Sequence, residues 1–124
     1  MVKKILIVDD SLTMTMSVKS SLKMNGFEVQ TAADGVQAMI VLKGGMKPDL
    51  IITDINMPNM SGFELIKQIK ALPGMRFVPI LTLTTESDPK KRDEGKKLGA
   101  TGWLVKPISG TDLLKVIKQV VPGA

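Results

Sequence analysis

The chain has 124 residues, 44% hydrophobic and 23% charged, a composition typical of one globular domain with a hydrophobic core. It contains no cysteine and no histidine, which excludes disulfides, thiolate chemistry and a histidine general base. Any chemistry must therefore use carboxylates, hydroxyls, amines and the backbone, and such oxygen ligands suit Mg²⁺ or Ca²⁺.

The net charge of +5 raises the question of nucleic-acid binding. Much of the excess lies in short groups such as "PKKRDEGKK" (89–97), which two acids interrupt and which is typical of a solvated helix face. Three phenylalanines and one tryptophan are too few for a base-stacking platform. Because there is also no signal peptide and no long apolar run, we predict a cytoplasmic domain that binds neither nucleic acid nor a membrane. Whether the basic helix at 89–98 meets an acidic partner or only water stays open.

Five short apolar segments alternate with five segments of helical periodicity. We predict strands at 4–8, 27–32, 48–54, 78–84 and 102–105, and helices at about 12–24, 34–44, 61–72, 88–99 and 109–121. The second strand, "FEVQTA", alternates like a half-exposed edge strand, whereas the first, "KILIV", shows no alternation and the third is the most apolar in its interior. The third helix begins with a capping-box spacing, Ser61 and Glu64, and the fourth with an N-cap and a proline, Asp88–Pro89. This order predicts an α/β fold, (βα)5, with a doubly wound five-stranded parallel sheet.

Polar residues stand at the carboxyl ends of four predicted strands, where doubly wound sheets place their sites. They are Asp9 and Asp10 after the first strand, Asp54 at the end of the third, Thr84 and Thr85 at the end of the fourth, and Lys106 after the fifth. Each has an ordinary alternative: Asp9 or Asp10 as the N-cap of the first helix, Thr84 as a strand-end threonine, and Lys106 as a surface lysine. The combination is far more specific than any one member.

Three converging carboxylates need cations. Two carboxylates about 4 Å apart repel by about 4 kcal/mol at an effective dielectric constant near 20. Lys106 supplies one positive charge and Mg²⁺ would supply the rest. Such parts neutralise a phosphoryl group in transfer: Asp54 would be the nucleophile, Asp9 and Asp10 would hold Mg²⁺, and Lys106 and Thr84 would contact the phosphoryl oxygens. Since adjacent strand residues point to opposite faces, we also predict a turn of the backbone at Asp10.

With these residues, the sequence resembles the receiver domain of two-component response regulators, most closely the single-domain, CheY-like chemotaxis members. The resemblance covers essentially the whole chain. It rests on "VDDS", "DINMPNMSG", "LTLTTES" and "GWLVKP", with 30 residues from Asp54 to Thr84 and 22 more to Lys106. It implies a flavodoxin-like fold with strand order 2-1-3-4-5, an order that the pattern of elements alone does not give.

The resemblance also implies roles for individual residues. Asp54 would be the phosphoacceptor, and Mg²⁺ would be bound by Asp9, Asp10, Asp54 and the backbone carbonyl of Asn56. Thr84 would move toward the phosphoryl group, and Trp103 would occupy the position of the switch aromatic. The side chains at Asn56 and Glu86 would set the rate of dephosphorylation. The resemblance further places Lys106–Pro107 at the family's cis peptide. Two residues depart from the pattern: Trp103 is bulkier than the usual switch residue, and Thr15 stands where an arginine is common. The first departure predicts a restricted or absent rotamer change, and the alternative for Trp103 is a strand residue partly covered by helices.

The implied function is a signalling switch and not a turnover enzyme. A monomeric receiver domain, residues 1–124 without an output domain, would accept a phosphoryl group from a chemotaxis-type histidine kinase and change its affinity for a protein such as a flagellar motor switch. Three alternatives use the same fold: a Mg²⁺-dependent phosphatase with an aspartyl nucleophile, a phosphorylation-independent binding module, and a flavin-binding protein. The last is disfavoured because the acids of "DDS" after the first strand would repel a phosphate.

Overall fold

Five strands alternate with five helices in the computed structural model, which describes residues 2–124. The strands are β1 (Lys4–Val8), β2 (Glu28–Ala32), β3 (Leu50–Thr53), β4 (Ile80–Thr84) and β5 (Gly102–Val105). The helices are α1 (Leu12–Met24), α2 (Gly35–Lys43), α3 (Gly62–Ala71), α4 (Pro89–Leu98) and α5 (Gly110–Val120). Among these helices, none combines the length and hydrophobicity that crossing a bilayer requires.

The strands form one parallel sheet in the order β2-β1-β3-β4-β5, which confirms the predicted fold class and strand order. Chain order reverses between β1 and β3, because β2 lies on one side of β1 and the remaining strands lie on the other. In sheets of this kind, ligands bind at the carboxyl ends of the strands near this reversal.

Both faces of the sheet are buried under helices. Alternate residues of β1 divide between two cores: Ile5 and Ile7 pack with residues of α1 and α5, and Leu6 and Val8 pack with residues of α2 and α3. This division explains why the central strands are continuously apolar in sequence, while β2 at the edge alternates between exposed and buried positions.

Two strands begin two residues later than predicted, and β2 begins one residue later, at Glu28. β3 starts at Leu50 and not at residue 48, and β4 starts at Ile80 and not at residue 78. Each missing segment contains a proline, Pro48 or Pro79, which has no N–H to donate to the ladder. The apolar pattern alone therefore extended both strands too far.

The helix starts are largely as predicted, with one difference. Asp88 accepts a hydrogen bond from the backbone N–H of Lys90, and Pro89 follows it at the first helical position. Ser61 accepts from the backbone N–H of Glu64 (3.3 Å), as a capping box requires. The Glu64 carboxylate, however, accepts from the side chain of Gln68, so the side-chain bond observed is within the helix and not back to the cap.

The start of α3 packs directly against the end of β3. The N–H of Gly62 donates to the carbonyl of Ile55 (2.8 Å), and a Cβ atom at Gly62 would lie 2.7 Å from the Ile55 Cα and clash with the Asp54 carbonyl oxygen. Both neighbours are backbone atoms and cannot move aside. Only glycine therefore lets the backbone that follows Asp54 approach α3 this closely.

We predict that Gly62→Ala lowers the free energy of unfolding by about 2–3 kcal/mol through overpacking, measured by urea unfolding. Gly110→Ala is the matched control, because Gly110 also follows a serine cap at the first position of a helix. A Cβ there would meet only the Ser21 hydroxyl, at 2.9 Å, and that side chain can rotate. The control should change stability by no more than about 0.5 kcal/mol. Equal effects of the two substitutions would contradict this account of Gly62.

Candidate functional site

Asp9 and Asp54 lie side by side because their strands are in register. Val8 of β1 pairs with Thr53 of β3, so the next residue on each strand is an aspartate. The ladder continues one step further: the Asp54 N–H donates to the Val8 carbonyl (2.9 Å), and the Asp9 N–H donates to the Ala32 carbonyl (3.1 Å). Equivalent positions on neighbouring parallel strands face the same side, so both carboxylates enter the same site.

Asp10 joins them because the backbone bends directly after the strand. The bend at residue 10 that the sequence predicted is present. One carboxylate oxygen each from Asp9, Asp10 and Asp54 lies within 4.8 Å of the others. Neither Asp9 nor Asp10 caps α1, since the cap is Ser11, whose own N–H donates to Asp9 Oδ1 (2.9 Å). The capping alternative for these two acids is therefore wrong.

Lys106 brings a positive charge to two of the three acids. Its ammonium group donates to Asp9 Oδ2 (2.7 Å) and to Asp54 Oδ2 (3.2 Å). The three side chains are largely buried, with exposed fractions of 15% for Lys106, 5% for Asp9 and 11% for Asp54. Burial works against the charged amine, but the hydrogen bond it donates to Asp9 and the negative charge of Asp54 outweigh this effect and raise the pKa of Lys106 above its ordinary value. Lys106 therefore stays protonated at neutral pH and is not a surface lysine.

The same three acids fit a divalent cation. Two oxygens bound to one Mg²⁺ are at most about 4.2 Å apart, twice the Mg–O distance of about 2.1 Å. The spacing among Asp9, Asp10 and Asp54 is close to this limit before any rearrangement. Carboxylate oxygens are also the hard donors that Mg²⁺ prefers, and the protonated Lys106 beside them has no lone pair with which to bind a metal. The residues present thus suit the predicted metal.

Thr84 and Glu86 connect this edge of the sheet to Trp103. The Thr84 side chain is fully buried, and its hydroxyl accepts a hydrogen bond from the Glu86 N–H (3.2 Å). The Glu86 carbonyl accepts from the Trp103 indole N–H (2.9 Å). The hydroxyl at Thr84 is thus hydrogen-bonded to the backbone that leads to Trp103, while the acids are bonded to Lys106.

Trp103 is half-buried between two helices. Its ring stacks on Phe63 of α3, with 6.2 Å between ring centroids, and it lies against Gly95 of α4. A Cβ at Gly95 would approach the ring to 2.9 Å, so the indole occupies space that any other residue at 95 would fill. An isolated glycine inside the helical segment "DEGKK" was the available sequence signal for this contact.

The remaining predicted residues lie near the site in different ways. Asn56 is exposed, two residues after Asp54. Thr15 is buried beneath the acids, where its hydroxyl donates to the Ser11 carbonyl (2.8 Å). The bond between Lys106 and Pro107 is cis, as the resemblance implied.

Comparisons with known proteins agree with this geometry. Residues 5–118 match the family model described as "Response regulator receiver domain". The chain is 38% identical to the chemotaxis protein CheY-3 of Vibrio cholerae over 94% of this chain and 90% of that protein. It is 36% identical to the chemotaxis protein CheY1 of Helicobacter pylori, over 97% of each.

The chain belongs to the response regulator receiver family. A solved structure of the V. cholerae chemotaxis protein CheY4 superimposes on it with a TM-score of 0.93 and 45% identity, covering 98% of this chain and all of that one. The predicted family is thereby confirmed, and so is the likeness to CheY chemotaxis proteins. The cluster of Asp9, Asp10 and Asp54 is the acidic pocket typical of receiver domains.

We predict that Asp10→Asn stabilises the metal-free protein and weakens Mg²⁺ binding. Asp10 is the exposed member of the cluster and makes no contact with Lys106, so its charge mainly adds repulsion when no metal is bound. The melting temperature in EDTA should rise by roughly 2–6 °C, and the further rise on adding Mg²⁺ should shrink.

The matched control is Asp93→Asn, which removes an exposed acid on α4, away from the cluster. It should leave the stabilisation by Mg²⁺ unchanged. If Asp10→Asn responded to Mg²⁺ as strongly as the unmodified protein does, Asp10 would not be a metal ligand.

Proposed function

We propose that this chain is a phosphorylation-activated switch of a two-component system of the chemotaxis type. It takes a phosphoryl group from a histidine kinase onto Asp54 and then changes its affinity for a partner protein. The observation that carries the proposal is the cluster of three carboxylates at the carboxyl edge of the sheet, two of which are paired with one largely buried ammonium group. Membership of the receiver family supports it, since receivers work with histidine kinases.

Asp54 is the phosphoacceptor in this proposal because of its surroundings. Its Oδ1 accepts the Ile55 N–H (2.7 Å), which fixes the carboxylate, and its Oδ2 is paired with Lys106. A carboxylate oxygen attacks phosphorus, the bond from phosphorus to the donor's imidazole nitrogen breaks, and that nitrogen keeps the electron pair and takes up a proton. The product is an acyl phosphate on Asp54.

The charge that arrives must be neutralised. Mg²⁺, when bound by Asp9, Asp10, Asp54 and the backbone carbonyl of Asn56, supplies positive charge to the phosphoryl oxygens. Lys106 remains protonated and pairs with these oxygens as well as with Asp9. Thr84 donates its hydroxyl to one of them.

The same step carries the signal toward the surface. In this structure, the Thr84 hydroxyl accepts a hydrogen bond from the Glu86 N–H. When Thr84 moves toward the phosphoryl group, this bond breaks and the backbone at Glu86 is released. The Glu86 carbonyl holds the Trp103 indole, so the release reaches the α4–β5 surface, which with α5 forms the partner surface. Phosphorylation thus shifts a population between two arrangements. Asn56 and Glu86 side chains, close to the acyl phosphate, set how fast water removes it.

A groove between α4 and β5 indicates the kind of partner. It has a volume of about 270 Å³ and is lined by Trp103 together with the cations of Arg92 and Lys96. An acidic segment of a protein would complement it. A flagellar motor switch protein is the candidate suggested by the chemotaxis relatives, and it places the chain in the cytoplasm.

A turnover enzyme is less well supported than a switch. The cavity beside Asp9 and Asp10 has a volume of only about 110 Å³, whereas pockets for small-molecule substrates span about 300–1,000 Å³. Its lining does not include Asp54, so this cavity is not a substrate pocket around the proposed nucleophile. A binding module independent of phosphorylation would not need the buried Lys106 between two acids.

We predict that incubation with Mg²⁺ and acetyl phosphate adds one phosphoryl group, seen by intact mass spectrometry. Asp54→Asn should abolish the addition, because the nucleophile is lost while the shape of the side chain is kept. Asp112→Asn, an exposed acid in the first turn of α5, should not affect it.

Labelling that persists in Asp54→Asn would overturn the assignment of the phosphoacceptor. Hydrolysis of many equivalents of an unrelated phosphate ester would favour the phosphatase instead. If the unmodified protein were never labelled but still bound a partner, the phosphorylation-independent module would be the better description.

A further inference from the structure

The loop between β3 and α3, residues 54–61, is closed at its base. The Gly62 N–H donates to the Ile55 carbonyl (2.8 Å), so the residues that begin and end the loop are neighbours. Asn56 is the first exposed residue beyond this base. The position of its carbonyl therefore depends on how the rest of the loop is held.

The tip of the loop is fixed to the start of helix α2. The Asn59 side-chain amide donates to Asp34 Oδ2 (2.9 Å), at the start of α2. Next to it, Met60 packs on Gly35, where a Cβ would lie 2.9 Å from the Met60 Cβ. Asn59 has φ = 68°, in the left-handed region that asparagine and glycine tolerate best. Two contacts thus tie the tip of the loop to the start of α2.

Asp34 serves two partners. One oxygen accepts the Gln37 N–H (2.9 Å) and caps α2, and the other accepts the Asn59 amide. These bonds, the Gln37 bond first, hold the pKa of Asp34 below its ordinary value. Serine caps three other helices of this chain, so capping alone does not require a carboxylate. A serine at position 34 could cap α2, but it has no second oxygen to accept the hydrogen bond from Asn59.

We propose that the contact between Asp34 and Asn59 is a latch that positions the β3–α3 loop for Mg²⁺ binding. Asp34 and Asn59 are positioning residues: they touch neither metal nor phosphoryl group, but they hold the loop so that the Asn56 carbonyl is directed to Asp9, Asp10 and Asp54. The inference rests on the Mg²⁺ site of the proposed function. Without the latch, the loop must be ordered when the metal binds, and the entropy cost weakens binding.

Two single variants and one double variant, in which the two side chains are exchanged, test the latch. Asp34→Ser keeps a cap for α2 but does not reach Asn59. Asn59→Asp keeps a residue that tolerates the left-handed backbone but places two carboxylates against each other. The double variant, Asp34→Asn with Asn59→Asp, exchanges donor and acceptor, keeps a good cap, and restores both the hydrogen bond and the total charge.

The two single variants also separate positioning from simple charge effects. Asn59→Asp adds a negative charge near the acids and by attraction alone would strengthen Mg²⁺ binding. Asp34→Ser removes a negative charge and by attraction alone would weaken it. Only a positioning role weakens binding in both.

We expect the Kd for Mg²⁺, measured by isothermal titration calorimetry, to rise about tenfold in each single variant, as for other residues that orient metal ligands. The double variant should return to within about twofold of the unmodified protein. In the metal-free protein, hydrogen exchange at the Met60 and Gly62 amides should be faster in the single variants and restored in the double variant. Asp88→Ser, which changes a cap that has no loop partner, should alter neither quantity.

Single variants that bind Mg²⁺ like the unmodified protein would overturn the latch, and so would a double variant as weak as the single ones. An unmodified protein that bound no Mg²⁺ at all would instead overturn the proposed function on which the latch depends. The two failures are therefore distinguishable.

Discussion

The ion pairs of Lys106 with Asp9 and Asp54 are the interaction on which the site depends. Two acids at the ends of adjacent core strands, each nearly buried, would repel each other and lose their hydration without a counter-charge. Lys106 supplies that charge from β5, two strands away from β3. The three residues are far apart in sequence, so their contact forms only when the whole sheet has formed. Formation of the site thus depends on formation of the sheet.

Charge balance also explains why the site suits a divalent cation. One ammonium group faces two carboxylates, with the exposed Asp10 as a third, so the cluster keeps an excess of negative charge that a divalent cation can neutralise. Thr84 lies on the neighbouring strand with its hydroxyl engaged by the backbone of Glu86. Since the Glu86 carbonyl accepts from the Trp103 indole, one short series of hydrogen bonds joins Thr84 to the surface at α4 and β5.

The sequence predicted those features that depend on local pattern. Strand periodicity, the cap at Asp88–Pro89 and the polar residues at strand ends gave the (βα)5 sheet, and the structure confirms that the acids and Lys106 come together. Strand β3 was predicted too long because the run of apolar residues gives no sign that Pro48 lacks the N–H that a strand needs. Of the capping box predicted at Ser61, only the bond from the Glu64 N–H to the Ser61 hydroxyl is observed, because the Glu64 carboxylate accepts from Gln68, one turn later.

Contacts between distant segments were beyond the reach of the sequence. The bond between Asn59 and Asp34 joins residues 25 positions apart. The isolated Gly95 indicated a close approach to α4, but not that Trp103 of β5 makes it. No local pattern encodes such distances. The resemblance to receivers supplied the strand order and the roles of Thr84 and Asn56, whereas the residues that hold those groups in place emerged only from the packing.

The central claim, that Lys106 is the counter-ion of a buried acid cluster that Mg²⁺ can also neutralise, is tested most directly by the stability of Lys106→Met with and without Mg²⁺. Removing one partner of a buried pair costs about 3–5 kcal/mol. We therefore predict a large loss in the free energy of unfolding in EDTA, and a much smaller loss in saturating Mg²⁺, while the exposed control Lys118→Met loses little in either. A loss of the same size in both conditions, or no loss at all, would contradict the account.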